Sequence, residues 1–243
     1  MNADASLGHF LAALAEIFGV NIVLSGDNAV VIALAARSLP PAQQKKAVVY
    51  GSLAAIAMRV ILTLAATQVL ALPWLKIIGS VLLLWIGVKL LVPEADDARG
   101  SAREISGTFA AIRTILIADL VMSLDNVIAV AAAAKGDVSL LVIGLVISIP
   151  LIVFGSTLIL KLMDRFPFII TVGGGLLGFV AGEMLIGDAV IAGWIEVNTP
   201  WLHYLAPLGA ALLVVVIGRG WAARITARAP VSAIVDLAET DTK

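Results

Sequence analysis

Long apolar runs alternate along this chain with short polar segments. Stretches almost without charge cover 60–75, 138–160 and 166–181. They approach or exceed the roughly 20 residues that an α-helix needs to cross a hydrocarbon core of about 30 Å. The alternating segments of about ten residues that are typical of a transmembrane β-barrel are absent from the sequence. The pattern therefore predicts an all-α membrane protein.

The same pattern predicts seven transmembrane helices in a single membrane domain covering 1–243. Turn-forming residues stand in the connections: Pro40 and Pro41 follow the first helix, Pro73 the second and Pro93 the third. The segment 93–106 is hydrophilic, and it separates the first three helices from the next three. The predicted spans are 8–36, 46–70, 74–92, 107–133, 138–161, 166–189 and 203–220.

Composition supports a membrane location. The chain is 61% hydrophobic and 14% charged, whereas a soluble domain is about 45–50% apolar and 25% charged. A soluble core could not bury this much apolar surface, so we expect the lipid bilayer as the surrounding medium and no nucleic-acid partner. The chain has no Cys. A bound metal must therefore use oxygen ligands or the imidazoles of His9 and His203.

The distribution of Lys and Arg predicts the orientation. In the seven-helix arrangement nearly all of them fall on one side, and the other side has only Lys76 and Lys135. Since positively charged loops stay in the cytoplasm, we predict an external N-terminus, a cytoplasmic linker over 93–106 and a cytoplasmic tail over 221–243. The basic residues on the cytoplasmic side are Arg37, Lys45, Lys46, Lys89, Arg99, Arg103, Arg113, Lys161, Arg165, Arg219, Arg224 and Arg228.

An internal repeat relates the two groups of three helices. Ser-Gly-Asp-Asn-Ala-Val at 25–30 matches Ser-Leu-Asp-Asn-Val-Ile at 123–128, and 78–85 in the third span is similar to 172–179 in the sixth. Three spans are an odd number, so the second copy must be inverted in the membrane. The predicted units are a repeat over 8–92, an inverted repeat over 107–189 and an added seventh helix over 203–220.

The repeated motif places an Asp-Asn pair within each half, Asp27-Asn28 and Asp125-Asn126. An ionised Asp in the bilayer interior costs at least about 2.5–3.5 kcal/mol, so it is rarely present without a purpose. Carboxylate and amide oxygens suit hard cations such as Mg²⁺, Mn²⁺ and Ca²⁺. The repeat therefore predicts a divalent cation site formed by both pairs.

Further polar residues are predicted within the spans. Asn21 and Asp119 lie six residues before the two motif aspartates, and we interpret them as a second layer of ligands on the same polar path. Arg59 is either a structural counter-ion for Asp27 or Glu183 or a part of the transport cycle. Glu183 is a candidate ligand or proton carrier.

Purely structural roles are the alternatives for these residues. Asp and Asn in membrane helices also hydrogen-bond neighbouring helices, for roughly 0.6 kcal/mol on average. The three glycines at 173–175 indicate close helix packing more than an ion filter. Asp188, Glu196 and His203 are predicted at or beyond the external boundary, where contact with water explains them.

Three segments carry a resemblance to a known family: 21–36 with its Ser-Gly-Asp-Asn core, 123–134 with Ser-Leu-Asp-Asn, and 78–90 with Ile-Gly-x-x-Leu-Leu-x-Trp-Ile-Gly-x-Lys-Leu. Over about residues 10–220 the chain resembles the TerC family, in particular its small YjbE-like branch, within the LysE-type transporter superfamily. The resemblance implies an inner-membrane exporter of bacteria, with Mn²⁺ or another divalent cation such as Ca²⁺ as transported substrate and no organic cofactor. The ligands that it implies are Asp27, Asn28, Asp125 and Asn126.

The predicted mechanism is outward movement of Mn²⁺ as the two repeats rock, coupled to protons through Asp119 or Glu183. A membrane scaffold that loads metal onto exported proteins is an alternative, as is an exporter of amino acids or other small solutes. An intramembrane enzyme is disfavoured because the sequence offers no Cys, no HExxH motif and no evident Ser/His or Ser/Lys pair at membrane depth. A homo-oligomer stays possible.

Overall fold

The computed structural model describes residues 19, 26–65, 72–92, 101–134 and 138–228, with the backbone alone described at 101–106, 125–134, 138–141, 144 and 228. The described part contains eight α-helices and no strand. They are α1 (Gly26–Ala36), α2 (Pro41–Leu64), α3 (Leu75–Leu91), α4 (Ser101–Ala134), α5 (Val138–Arg165), α6 (Phe168–Ile186), α7 (Ala192–Asn198) and α8 (Leu202–Arg228).

The prediction of an all-helical membrane protein is confirmed. Five segments are long and apolar enough to cross a bilayer, whereas α1 has 11 residues and α3 has 17. Large apolar side chains point away from the protein along these helices, with Ile61 62% exposed, Phe154 70% and Leu212 64%. Such exposure fits contact with lipid. The five segments are Pro41–Leu64, Gly107–Leu124, Leu145–Arg165, Phe168–Ile186 and Leu202–Ala227.

Several helix boundaries differ from the predicted spans. The helix α4 begins at Ser101, within the predicted linker, and α8 continues to Arg228, within the predicted tail. The extension at 221–228 is rich in Ala and Arg, and that at 101–106 contains Ala, Arg and Glu. These residues form helices well, so the polarity of the two extensions does not end the helix. The short helix α7 occupies a connection where no helix was predicted. Of the first predicted span, 8–36, only Gly19 and α1 belong to the described residues.

Glycines of α6 allow the neighbouring helices to approach it closely. A Cβ atom added at Gly178 would lie 2.6 Å from the carbonyl oxygen of Ala210, and one at Gly182 would lie 2.5 Å from the Cα of Pro207. Real Cβ atoms do not approach backbone atoms so closely, so only Gly fits at these two positions. As a result, the backbones of α6 and α8 pack directly against each other.

The three glycines at 173–175 face three different helices. An added Cβ at Gly173 would lie 2.9 Å from Val30 of α1, and one at Gly174 would lie 2.6 Å from Leu91 of α3. At Gly175 the corresponding distance, to Val215 of α8, is 3.4 Å. The prediction that these glycines serve helix packing is confirmed.

One end of the bundle carries basic side chains around a cavity. The ends of α1, α3 and α8 and the start of α4 meet around one cavity whose wall includes Arg37 and Lys89, and we call this the basic end. Trp85 and Trp221 lie there, whereas the other tryptophans lie near the start of α3, in α7 and at the start of α8. All five are at least half exposed: Trp74, Trp85, Trp194, Trp201 and Trp221. Tryptophan rings concentrate at the two membrane–water interfaces, so these positions fit a bundle that crosses the bilayer between its two ends.

Candidate functional site

The candidate site forms where α2 passes α4. The two helices run in the same direction, since Gln43 bonds Thr108 at their starts and Arg59 bonds Ser123 farther along. Between these contacts Gly51 leaves room for Ile115, because an added Cβ would lie only 2.8 Å from the Ile115 Cδ1 atom. This close approach brings the middle of α2 against the middle of α4.

A buried ion pair occupies the contact. The Arg59 Nη2 donates to Asp119 Oδ1 at 2.6 Å, and the Arg59 Nε donates to Ser123 Oγ at 3.1 Å. The Ser123 hydroxyl donates in turn to Asp119 Oδ2 at 3.3 Å. Asp119 and Ser123 are four residues apart, so they lie on one face of α4 and bind one guanidinium together. Arg59 is 2% exposed, Asp119 7% and Ser123 0%.

This arrangement compensates each buried charge. A single charge in the bilayer interior is costly, and a paired one is tolerated when hydrogen bonds satisfy its remaining polar atoms. Here both Asp119 oxygens accept a hydrogen bond, and the Arg59 guanidinium donates to two partners. Thr63, one turn farther along α2, donates to the backbone carbonyl of Arg59 at 2.7 Å.

The start of α1 adds a second carboxylate. The half-buried Asp27 side chain accepts a hydrogen bond from the Asn28 backbone N–H at 2.7 Å, in the first turn of the helix. Asp27 also interacts electrostatically with the buried pair, by attraction to Arg59 and by repulsion from Asp119. The neighbouring Asn28 is 3% exposed. Three helices thus contribute to one polar cluster in an apolar interior.

The structure locates some of the predicted site residues and not others. Asp119 and Arg59 form the buried pair, and Asp27 interacts with it electrostatically. Asn28 is buried beside Asp27 in the first turn of α1. The residue Asn21 and the side chains of Asp125 and Asn126 lie outside the described part of the chain. Within that part, no group of three or more His, Asp or Glu side chains is arranged to hold a metal ion. The charged groups described at the cluster are the carboxylates of Asp27 and Asp119 and the guanidinium of Arg59.

The predicted partners of Arg59 were wrong in one respect. Asp27 or Glu183 was expected to neutralise it, whereas Asp119 makes the direct ion pair and Asp27 interacts over a longer range. Glu183 is exposed and lies three residues before the end of α6. Sequence reasoning also gave no role to Ser123. Its spacing of four residues from Asp119 was the available signal, because that spacing is the one that places two side chains on the same helix face.

Asp188 is another residue whose role was missed. It was predicted to contact water, but it is 2% exposed. One of its carboxylate oxygens accepts the backbone N–H groups of Lys76 and Ile77, at 3.1 and 3.3 Å, and the other accepts that of Val190 at 3.0 Å. The first turn of α3 has N–H groups without a partner in its own helix, so Asp188 caps α3 and joins it to the end of α6.

These features define a multi-pass helical membrane protein with a charged cluster in its interior. The family model of the "Integral membrane protein TerC family" matches residues 6–226. The chain belongs to the TerC family, which is linked to membrane transport or metal handling. No solved structure matches the chain.

Three similar proteins come from Bacillus subtilis (strain 168), and each is described as an uncharacterized membrane protein. YjbE is 45% identical over 179 residues, which are 74% of this chain and 81% of YjbE. YceF is 29% identical over 170 residues, covering 67% of this chain and 66% of YceF. YkoY is 24% identical over 193 residues, covering 71% of this chain and 59% of YkoY.

Proposed function

We propose that the protein exports a divalent metal cation, with Mn²⁺ as the favoured cargo, across the bacterial inner membrane. One observation carries this proposal: the Arg59–Asp119 ion pair lies buried in an apolar interior within electrostatic reach of Asp27. Membrane proteins rarely keep charges at such depth unless ions or protons use them. The choice of Mn²⁺ rests on the resemblance to the TerC family, and the chemistry of the cluster supports the wider class of hard divalent cations.

The oxygen donors of the cluster suit such a cargo. Two carboxylates, Asp27 and Asp119, balance a charge of +2, and Asn28 and Ser123 add neutral oxygens. A cation that binds Asp119 competes with the Arg59 guanidinium for the same carboxylate. Arg59 therefore serves as a tethered counter-ion that neutralises Asp119 when no cargo holds it. Asp125 and Asn126, carried over from the family motif, complete the proposed ligand set.

The helix contacts support the proposed inverted repeat of α1–α3 and α4–α6. In this repeat α1 corresponds to α4, α2 to α5 and α3 to α6. The α2–α4 contact therefore corresponds to the α5–α1 contact, and the α3–α4 contact corresponds to the α6–α1 contact. All four contacts are present. The three contacts that an exchange of the two halves leaves unchanged, α1–α4, α2–α5 and α3–α6, are present as well. With α8 added, the arrangement has seven spans, and two halves that rock about a shared site can provide alternating access.

Orientation and energetics complete the mechanism. We place the basic end in the cytoplasm, because Lys and Arg accumulate in cytoplasmic loops. Outward movement of a divalent cation against an inside-negative potential costs about 2.3 kcal/mol per charge per 100 mV, so export requires coupling, which we assign to protons. Asp119 lies at the cluster and is the first candidate for the proton carrier, with the exposed Glu183 as the second. No enzymatic activity is assigned to the chain.

The test is Mn²⁺ flux into or out of proteoliposomes that hold the purified protein under an imposed or collapsed pH gradient. We expect Asp27→Asn and Asp119→Asn to reduce flux at least about tenfold, since loss of even an outer-shell partner of a metal costs about that much. Asp164→Asn is the matched control, because Asp164 is exposed at the end of α5, and it should leave flux unchanged.

The other outcomes separate the alternatives. Mn²⁺ binding that depends on Asp119 without any flux would replace the exporter by a metal-loading scaffold. Flux of amino acids that Mn²⁺ does not inhibit would replace it by a small-solute exporter. Equal flux in Asp119→Asn and in the parent protein would remove the cluster from the mechanism.

A further inference from the structure

The cavity at the basic end is separate from the polar cluster. It has a volume of about 300 Å³ and lies between the ends of α1, α3 and α8 and the start of α4. Its wall is mostly apolar, with Leu34, Leu39 and Ala111 among the lining residues. The described residues of the wall include two cations, Arg37 and Lys89, and no carboxylate.

The positive charge of the wall is held in place. The Arg37 Nη2 donates to the backbone carbonyl of Leu90 at 3.0 Å, and the Gln44 side chain donates to the carbonyl of Arg37 at 3.2 Å. The Lys89 ammonium lies 5.4 Å from the ring centroid of Trp85. Two fixed cations repel a divalent cation, so this cavity does not suit the proposed cargo. They attract an anion.

The position of the cavity identifies the source of that anion. The apolar segment of α4 that can cross the membrane begins at Gly107, which lines the cavity. Two exposed tryptophans, Trp85 and Trp221, also line it, and such rings mark the level of the lipid headgroups. An apolar wall next to two cations at this level matches a phospholipid, whose acyl chains adjoin an anionic headgroup. Basic pockets between membrane helices bind lipid headgroups in this manner.

We propose that this cavity is a binding site for an anionic phospholipid. The phosphate lies between Lys89 and Arg37, and the start of an acyl chain lies against Leu39 and Ala110. The volume corresponds to the lower end of ligand pockets, so it accommodates the headgroup region and not the whole lipid. The rest of each acyl chain stays in the bilayer, along the exposed faces of α3 and α8. This assignment does not depend on the proposed metal export.

The test is native mass spectrometry of the purified full-length protein, titrated with phosphatidylglycerol and, separately, with uncharged phosphatidylcholine. We expect preferential binding of phosphatidylglycerol, which Lys89→Gln weakens about fivefold. Lys161→Gln is the matched control, because Lys161 is an exposed lysine near the same end of the bundle that does not line the cavity. It should leave the affinity unchanged.

A second variant tests the cavity without a change in charge. Ala110 is exposed and lines the cavity, so Ala110→Phe should fill it and reduce phosphatidylglycerol binding while the helix content and elution volume stay as in the parent protein. Equal affinity for the two lipids, or equal effects of Lys89→Gln and Lys161→Gln, would overturn the proposal. Glycerol phosphate binding as tightly as phosphatidylglycerol would overturn it too, in favour of a site for soluble anions.

Discussion

The α2–α4 contact and the α6–α8 contact join helices within the same bundle by opposite means. The first contains a buried ion pair, in which Arg59 binds Asp119 and Ser123. The second contains glycines, with Gly178 and Gly182 against the backbone of α8. Close glycine packing needs no charge to hold two helices together in lipid. A buried ion pair stabilises a protein little for its cost, and the proposed transport function would account for its presence at this depth.

Asp119→Ala is expected to have the largest effect on this comparison. It leaves the Arg59 guanidinium buried without its carboxylate, which should lower the free energy of unfolding by roughly 3–5 kcal/mol. The double variant Arg59→Met/Asp119→Leu should recover most of that loss, because it removes both charges, and should still fail to transport Mn²⁺. Thermal unfolding in detergent micelles, together with flux in proteoliposomes, measures both quantities. Equal stability of the single and double variants would show that the ion pair does not compensate the buried charge.

Gly182→Ala tests the packing contact and is expected to have an intermediate effect. The new Cβ meets the Pro207 Cα at 2.5 Å and the Ala206 carbonyl oxygen at 2.7 Å. Backbone atoms cannot rotate away, so α6 and α8 must separate, at a cost of about 1–3 kcal/mol in the free energy of unfolding.

The control for this change is Gly209→Ala on α8, because no atom of the described residues lies within 4 Å of a Cβ added at Gly209. Its stability should be unchanged or slightly higher, since Ala favours a helix more than Gly does. The Mn²⁺ affinity of folded Gly182→Ala protein should equal that of the parent. A large loss of affinity would connect the α6–α8 contact to the site and weaken the contrast between the two contacts.

Ser123→Ala should have the smallest effect of the three. It removes the hydroxyl that binds both Arg59 and Asp119 while leaving the ion pair, so we expect a loss of about 1 kcal/mol in the free energy of unfolding. Thr63→Val is the matched control: Thr63 is buried on α2, and among the described residues it bonds only a carbonyl of its own helix, so its replacement should cost less. A larger loss in Thr63→Val than in Ser123→Ala would contradict this assignment of the hydrogen bonds.

Parts of the candidate site were predictable from local sequence. Asp27 and Asn28 stand out because a charged motif occurs twice in apolar surroundings, and Asp119 because it lies at a fixed distance before the second copy. The ion pair was not predictable in the same way. Arg59 could have paired with any of several carboxylates. Which carboxylate it binds depends on the register of α2 relative to α4 along their axes.

The burial of Asp188 was also not predictable from the local sequence. Its place in the sequence, after the last apolar residues of a span, is typical of a residue in water. In the structure it is buried because the start of α3 comes to it and provides two N–H donors. No feature near position 188 in the sequence indicates that α3 lies there, since the two segments are more than a hundred residues apart.

The sequence by itself determined the helices and the membrane location, because the length and apolarity of a run decide whether it can cross a bilayer without help from other segments. Its local patterns also identified the glycines that pack and most members of the polar cluster. The tertiary structure decided which charged side chains form an ion pair. Small residues such as Gly51 and Gly174 set how closely two helices approach each other. No local pattern in the sequence encodes that distance. It determines that Arg59 pairs with Asp119, and that Arg37 and Lys89 line one cavity.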